Sequence, residues 1–145
     1  MDAGSVPAAS LSDRVRAFLE APHFASLATV GESGAPNQAV IWYRLEPDGR
    51  LLINSREGRR WPANLRRDAR ANLAVWLGKD PNRWVGLTCR VDQIDDDLDR
   101  ARGDIVALLR RYDDWSADGE ATFRSQPRVT FRLRIVRVHD HLEDD

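Results

Sequence analysis

The chain has 145 residues, of which 42% are hydrophobic, and its 22 basic and 23 acidic side chains give a formal net charge of −1. This is one domain's worth of sequence, and its hydrophobic content is enough to bury roughly 68–70% of the unfolded surface, which excludes a disordered chain. The charge balance excludes a globally basic nucleic-acid binder. The absence of a long apolar run excludes a membrane-spanning helix. One cysteine, Cys89, and no signal-peptide pattern at the N-terminus indicate a cytoplasmic protein.

The first third of the chain predicts a tail, a helix and three strands. Residues 1–11 are small and polar and typical of a flexible tail, and residues 12–145 form the single predicted domain. Ser12 and Asp13 provide an N-cap for a short amphipathic helix that ends before Pro22. Alternating and β-branched residues then predict strands over residues 24–30, 38–45 and 50–54.

The remaining chain predicts three more strands and two helices. Pro62 suits the first position of a helix that continues over residues 64–68, and a longer helix carries Ile105, Leu108 and Leu109. The strands are expected over residues 72–77, 84–94 and 128–138. Because the early connections are too short for parallel crossovers, six strands indicate a mainly β (α+β) fold: a six-stranded antiparallel barrel with a few short helices.

An unusually basic segment follows the third strand. Residues 56–70 contain six arginines and two acids, whereas residues 92–104 contain six aspartates and two arginines. A strand end, a glycine loop and a helix start bring N–H groups and guanidinium groups together, as a phosphate site requires. The alternative is a solvated helix face whose arginines pair with nearby acids. The neutral donors Ser55 and Asn64 beside the arginines favour the site.

Residues for side-chain catalysis are not evident. His139 and His141 are typical of a polar strand end, no metal site is expected, and Cys89 is expected to be a buried thiol. The chain has no nucleophile elbow, no P-loop and no dinucleotide-binding glycine motif. An enzyme of this composition would use a bound cofactor. Of the five tryptophans, Trp61 and Trp84 lie near loop junctions where they could cover a flat ring.

Several segments together resemble a known family. They are His23-Phe24-Ala25-Ser26-Leu27-Ala28-Thr29, Gly34-Ala35-Pro36-Asn37-Gln38, Ala39-Val40-Ile41-Trp42-Tyr43 and Gly58-Arg59-Arg60-x-x-x-Asn64-Leu65-Arg66-Arg67-Asp68-x-Arg70. The sequence is similar to the pyridoxamine 5′-phosphate oxidase-like proteins, in particular the actinobacterial branch that uses the deazaflavin coenzyme F420. The resemblance implies an FMN-binding split β-barrel of Greek-key type and a homodimer with a cofactor site in each groove between the barrels.

The resemblance also implies which residues hold the cofactor. Arg59 and Asn64 match the family's phosphate loop, and residues 38–43 match the strand that lies along the ring. We expect both loop residues at a helix entrance, outside the core. The expected cofactor-binding residues are Gln38, Val40, Trp42, Asn54, Ser55, Arg59, Arg60, Trp61, Asn64 and Trp84. Trp61 departs from the family, which commonly has lysine there, and no catalytic residue is assigned, since the Tyr43 phenol is more simply a structural hydroxyl.

The implied activity is that of an oxidoreductase. It would transfer a hydride between reduced coenzyme F420 and a small conjugated organic acceptor. FMN is the alternative cofactor, since it also joins a tricyclic ring to a phosphate. A third possibility is a non-catalytic ligand-binding protein that has lost the redox cofactor, for which Trp61 is the main argument. If F420 is used, Arg66, Arg67 and Arg70 could meet the carboxylates of its polyglutamate tail.

Overall fold

The computed structural model describes residues 6–142. Within them, seven strands form one antiparallel sheet in the order β2-β1-β5-β6-β7-β4-β3. The strands are β1 (Phe24–Val30), β2 (Pro36–Ile41), β3 (Arg44–Leu45), β4 (Leu51–Arg56), β5 (Arg70–Leu77), β6 (Asp80–Asp95) and β7 (Arg128–His141). The helices are α1 (Asp13–Glu20), α2 (Arg60–Arg67), α3 (Leu98–Arg111) and α4 (Ala117–Arg124). The predicted mainly β, α+β class is confirmed, but the strand count of six is wrong.

The count differs because the strand predicted over residues 38–45 is two strands at opposite edges of the sheet. β2 pairs with β1, whereas β3 pairs with β4. Only Trp42 and Tyr43 connect them, so the Cα atoms of Ile41 and Arg44 are at most about 11 Å apart. The sheet therefore curls until its two edges approach each other, and the gap between them is the split of the barrel.

The barrel interior is filled by the alternating residues of the strands. Val129, Phe131, Leu133 and Ile135 of β7 are all buried there. Thr130 is buried as well, although it lies on the opposite face. The reason is that α3 covers the outer side of β4 and β7, where its apolar residues pack against Leu52.

Hydrogen bonds from α3 anchor the crossing between the sheet edges. The guanidinium group of Arg111 donates to the carbonyl oxygens of Leu19, Glu20 and Ala21 at the end of α1, and to that of Tyr43. The Tyr112 hydroxyl accepts from the backbone N–H of Tyr43 at 3.2 Å. These contacts hold α1, α3 and the crossing residues together at one side of the split.

Local differences from the predicted elements are at helix starts and at the N-terminus. Pro62 is the third residue of α2, not the first. Helix α4, capped by the Ser116 hydroxyl, is not among the predicted helices. Residues 1–5 of the predicted tail lie outside the described residues, and beyond them Ala9 donates its N–H to the carbonyl of Ile135 at 2.8 Å.

Candidate functional site

A cavity of about 290 Å³ lies in the split, and we call it the split pocket. Strand β2 and the crossing form one wall, β4 forms the other, and the start of α2 and the start of β7 form one end. Apolar residues of α3 and α4 cover it. Its lining residues are Phe24, Val40, Ile41, Trp42, Asn54, Ser55, Arg56, Arg59, Trp61, Ile105, Leu108, Phe123 and Arg128.

One end of the split pocket is apolar and aromatic. The indole of Trp42 stacks on the ring of Tyr112, with 5.2 Å between centroids and 13° between planes. At the mouth, the side chains of Val40 and Phe24 are 70% and 48% exposed. Exposed apolar side chains beside a fixed aromatic plane are typical of a surface that a flat ligand or a partner covers.

The other end of the split pocket is cationic. Arg56, Arg59 and Arg128 line it, and no carboxylate or imidazole is among the lining residues. Arg56 and Arg59 form no ion pair with any of residues 6–142. Burial, together with the positive charges of Arg59 and Arg56, lowers the pKa of Arg128 to about 10. Three guanidinium groups without a counter-charge form a site for an anion.

Neutral side chains and an aromatic ring fix the position of Arg128, which is only 6% exposed. Its Nε donates to Asn54 Oδ1 at 3.0 Å and its Nη1 to Gln126 Oε1 at 2.8 Å. The guanidinium carbon lies 5.0 Å from the ring centroid of Phe123. Arg128 is therefore held as a preorganised cation at the pocket wall.

Most of the predicted cofactor-binding residues meet at this pocket. Six of the ten line it: Val40, Trp42, Asn54, Ser55, Arg59 and Trp61. Gln38 and Arg60 line a neighbouring depression that shares Arg59 and Trp61 with the split pocket. Trp84 lies elsewhere, on the outer face of the sheet, where its ring stacks on His139 and His141.

Asn64 is buried inside the protein, with 3% of its surface exposed. Its Nδ2 donates to Thr29 Oγ1 at 3.0 Å and to Asn37 Oδ1 at 2.9 Å, and its Oδ1 accepts from Arg67 at 2.8 Å. The expectation that this residue lies outside the core is wrong. Its amide fastens α2 to the hairpin of β1 and β2, and it lines a depression on the side of that hairpin.

Trp61 is part of the barrel core and also lines the split pocket. It is the second residue of α2, is 7% exposed, and packs on Phe131 with 5.7 Å between ring centroids. Where the family commonly has a lysine, this chain thus has a core side chain. The positively charged residues that line this pocket are arginines.

Two arginines in the C-terminal part of the basic segment already have counter-charges. Arg66 forms ion pairs with Glu57 at 2.6 Å and Asp96 at 2.5 Å, and Arg70 pairs with Asp68 at 2.7 Å. For Arg66 and Arg70, the pairing with nearby acids that the sequence offered as an alternative is present, whereas Arg67 donates to the neutral acceptor Asn64 Oδ1. Sequence reasoning missed Arg128 and the covering residues of α3 and α4, and it included Arg56 only as part of the basic segment. Arg128 stands far from the basic segment, at the start of the last strand, and no local signal marks it.

Other reactive groups are enclosed. Burial raises the pKa of the Cys89 thiol to about 12. Tyr43 is fully buried, its hydroxyl donates to the carbonyl of Ala21 at 3.0 Å, and burial raises its pKa, so it is a structural hydroxyl.

Residues 6–142 hold no group of three or more potential metal ligands. None of their helices combines the length and the apolar character needed to cross a membrane.

Comparisons with known proteins agree with this architecture. No curated protein matches the chain at a significant level. Among solved structures, the fold is similar to an F420 reductase at 21% identity, with a TM-score of 0.78 over 89% of this chain and 98% of the other. It is also similar to a conserved hypothetical protein from Mycobacterium tuberculosis, at 22% identity and a TM-score of 0.69 over 92% and 87% of the two chains. A protein of unknown function from Agrobacterium tumefaciens, at 24% identity and a TM-score of 0.70, is matched over 90% and 57%.

A family profile decides the assignment. The profile described as pyridoxamine 5′-phosphate oxidase matches residues 11–142, which include the whole sheet, all four helices and every residue of the split pocket. Together with the split, seven-stranded antiparallel sheet, this match shows that the chain belongs to the pyridoxamine 5′-phosphate oxidase-like family of split barrels.

Proposed function

We propose that this protein is an oxidoreductase that binds a flavin or deazaflavin in the split pocket and transfers a hydride to or from a small conjugated organic molecule. The main observation behind the proposal is that the split pocket has an aromatic end beside Trp42 and, at its other end, three guanidinium groups that lack counter-charges. We assign the phosphate to Ser55, Arg56, Arg59 and Arg128, and the ring to the side of β2 and Trp42. The fold's likeness to an F420 reductase supports the deazaflavin as the first cofactor to test.

The chemistry of the donor set fits such a cofactor. A phosphate needs charged N–H donors, which the arginines provide, and a tricyclic ring needs a flat apolar surface, which Trp42 and Val40 provide. The cavity of about 290 Å³ is at the lower end of ligand pockets, which span roughly 300–1,000 Å³. One chain therefore encloses only part of a ring with its phosphate-bearing side chain.

A second copy of the chain would complete the site. On the outer face of the sheet, Phe24, Trp76 and Trp84 lie side by side on β1, β5 and β6, and next to them lie small residues such as Ser26, Ala74 and Gly86. Small residues allow close approach of another surface, and the aromatic row provides apolar area. Because Phe24 and Val40 belong to this face and to the pocket mouth, a homodimer formed there would cover the cofactor.

The protein's own contribution is binding, orientation and exclusion of water. When bound, a flavin or deazaflavin supplies the carbon or nitrogen that accepts or donates the hydride. The arginines hold its phosphate, Trp42 orients the ring, and the covering residues Ile105, Leu108 and Phe123 keep water from one side. The described residues of the pocket include no carboxylate or imidazole, so we assign no proton donor.

Spectral titration tests the proposal. Purified protein is titrated with FMN and with coenzyme F420, and its mass is measured by light scattering at micromolar concentration. We expect saturable binding of at least one of the two and the mass of a dimer. A dimer that binds neither would favour the alternative, a non-catalytic ligand-binding protein, and a monomer would exclude the shared groove.

A further inference from the structure

We propose that Arg128 is the residue by which the split pocket selects phosphate-bearing ligands, and that a relay of hydrogen bonds from Asp104 through Thr130 and Asn54 positions it. The inference deepens the proposed function and rests on it for the identity of the ring. It does not rest on it for the phosphate, which the arginines alone specify.

The relay runs from α3 through the sheet to the pocket. Thr130 Oγ1 donates to the carboxylate of Asp104 at 2.8 Å and accepts from Asn54 Nδ2 at 2.9 Å. Asn54 Nδ2 also donates to the carbonyl of Ala101 at 2.9 Å, and Asn54 Oδ1 accepts from Arg128 Nε at 3.0 Å. Because a carboxylate only accepts, the hydroxyl of Thr130 must donate to it, and the amide of Asn54 can have only one orientation.

This arrangement leaves one part of the guanidinium group for a ligand. Nε and Nη1 of Arg128 are used by Asn54 and Gln126, whereas Nη2 makes no hydrogen bond with residues 6–142. Asn54 and Thr130 are themselves buried, so their geometry does not relax into water. A donor that is fixed before the ligand arrives loses little freedom on binding, which favours the ligand group that fits it.

Burial makes Arg128 different from the other two pocket arginines. Arg56 and Arg59 are exposed, so water screens their attraction for any anion. Arg128 is removed from water and faces two like charges, and a phosphate would place one counter-charge among all three groups. We therefore assign the discrimination between a ligand with and without phosphate mainly to Arg128.

The first experiment compares affinities for FMN and riboflavin, which differ only by the phosphate, in the full-length protein. For Arg128→Met we expect the FMN-to-riboflavin affinity ratio to fall by roughly 10- to 100-fold, the range of a lost charge-assisted contact, with riboflavin binding unchanged. Arg132→Met is the matched control, because Arg132 is on the same strand, bonds to Glu46 and does not line the pocket. An Arg128→Met protein that keeps the wild-type ratio would overturn the proposal.

A parallel titration distinguishes a phosphate monoester from a phosphodiester as the bound group. Coenzyme F420 carries a phosphodiester, and its phosphate-free deazaflavin core is the matched ligand. A monoester such as FMN has a second ionisation near pH 6 and should bind less tightly as the pH falls below it, whereas a diester should not. Arg128→Met should reduce the phosphate-dependent ratio for whichever cofactor the wild type binds.

The second experiment tests the relay and does not depend on the Arg128 variant being folded. Thr130→Val keeps the shape of the side chain but removes the hydroxyl, and we expect the FMN-to-riboflavin ratio to fall about 3- to 10-fold. Thr130→Ser restores the hydroxyl and should restore the ratio, a result that a merely structural role would not give. An unchanged ratio in Thr130→Val would overturn the positioning role.

A third measurement separates this inference from the proposed function. Inorganic phosphate is added to ¹⁵N-labelled wild-type protein, and the Nε–H resonance of Arg128 is followed by NMR. A saturable shift that is weakened in Thr130→Val supports the inference even if neither cofactor binds, in which case only the proposed function fails. The absence of any shift, with FMN and riboflavin binding equally, would overturn the inference.

Discussion

Two groups of arginines in this molecule have the same side chain and opposite surroundings. The paired group, Arg66 and Arg70, lies at the end of α2 and the start of β5, and its members form ion pairs with Glu57, Asp96 and Asp68. The pocket group, Arg56, Arg59 and Arg128, has no carboxylate partner within residues 6–142. The density of positive charge along the sequence therefore does not locate the anion site. The site is located by guanidinium groups without a counter-charge that meet at one cavity.

The pKa directions express the same difference. Hydrogen bonds that Arg66 donates to the carboxylates of Asp96 and Glu57 raise the pKa of Arg66. Burial and neighbouring positive charges lower the pKa of Arg128 to about 10. A guanidinium in the first situation gains little from a further anion, whereas one in the second gains both a counter-charge and a bond. Substitutions in and between the two groups should therefore separate stability from ligand binding.

The largest effect is expected at Trp61, which lies between Arg59 of the pocket group and Arg66 of the paired group in the sequence. Trp61→Lys would restore the family's common residue, but it places an ammonium group where an indole packs on Phe131. We expect the free energy of unfolding to fall by about 3–5 kcal/mol, as for other losses of a buried aromatic ring. Urea unfolding measures it. Trp61→Phe, which keeps an apolar ring, should lose clearly less, and a Trp61→Lys protein of wild-type stability would show that the indole is not a core group.

The next effect is expected at Asn64, the buried amide of α2 to which Arg67 donates. Asn64→Ala removes hydrogen bonds to Thr29, Asn37 and Arg67 and leaves a buried hydroxyl with one partner fewer. The free energy of unfolding should fall by about 2–3 kcal/mol. Affinity for FMN, measured at a temperature where the variant is folded, should change little.

Arg59→Ala is the matched comparison for Asn64→Ala. Arg59 is exposed and has no ion-pair partner within the described part of the chain, so unfolding should change by less than about 0.5 kcal/mol. Cofactor affinity should fall roughly tenfold, for the loss of one charge-assisted contact. If Asn64→Ala instead weakened binding with no loss of stability, Asn64 would be a ligand contact after all.

Patterns among residues that are close in the sequence made much of the fold predictable. The alternation of Val129, Phe131, Leu133 and Ile135 defines the inner face of β7, and the buried state of Cys89 follows from its place in a strand. The crossing at Trp42 and Tyr43 was not predictable. Both residues have high strand propensity, so nothing local shows that the chain leaves one sheet edge for the other there.

The site was predictable only where it is local. Ser55 and Arg59 follow a strand end and precede a helix, a pattern that a short window of sequence contains. Arg128 and Asn54 meet through pairing of β4 with β7, over a separation of 74 residues. The phosphate-loop motif also singled out Asn64, but it did not give the role of that residue. An amide that connects a helix to a hairpin and an amide that binds a ligand look the same in a sequence.

The smallest effect is expected for Arg66→Ala, which tests the paired group directly. Its ion pairs with Glu57 and Asp96 are largely exposed, so the free energy of unfolding should fall by only about 0.5–1 kcal/mol at low salt and by less at high salt. The Arg66 side chain lowers the pKa of Asp96, so the stability from this pair is present above the carboxyl's ordinary value of 3.8 and is lost as the pH falls through the lowered pKa.

The difference in unfolding between wild type and Arg66→Ala should therefore be constant near neutral pH and shrink in acid. FMN affinity should be the same in both proteins, in contrast to Arg59→Ala, because Arg66 does not line the split pocket and its charge is already neutralised. Titration of FMN into both variants at low and high salt measures this. A drop in FMN affinity for Arg66→Ala as large as that for Arg59→Ala would mean that both arginine groups attract the phosphate electrostatically. Ion pairing within the protein would then not determine which group binds it.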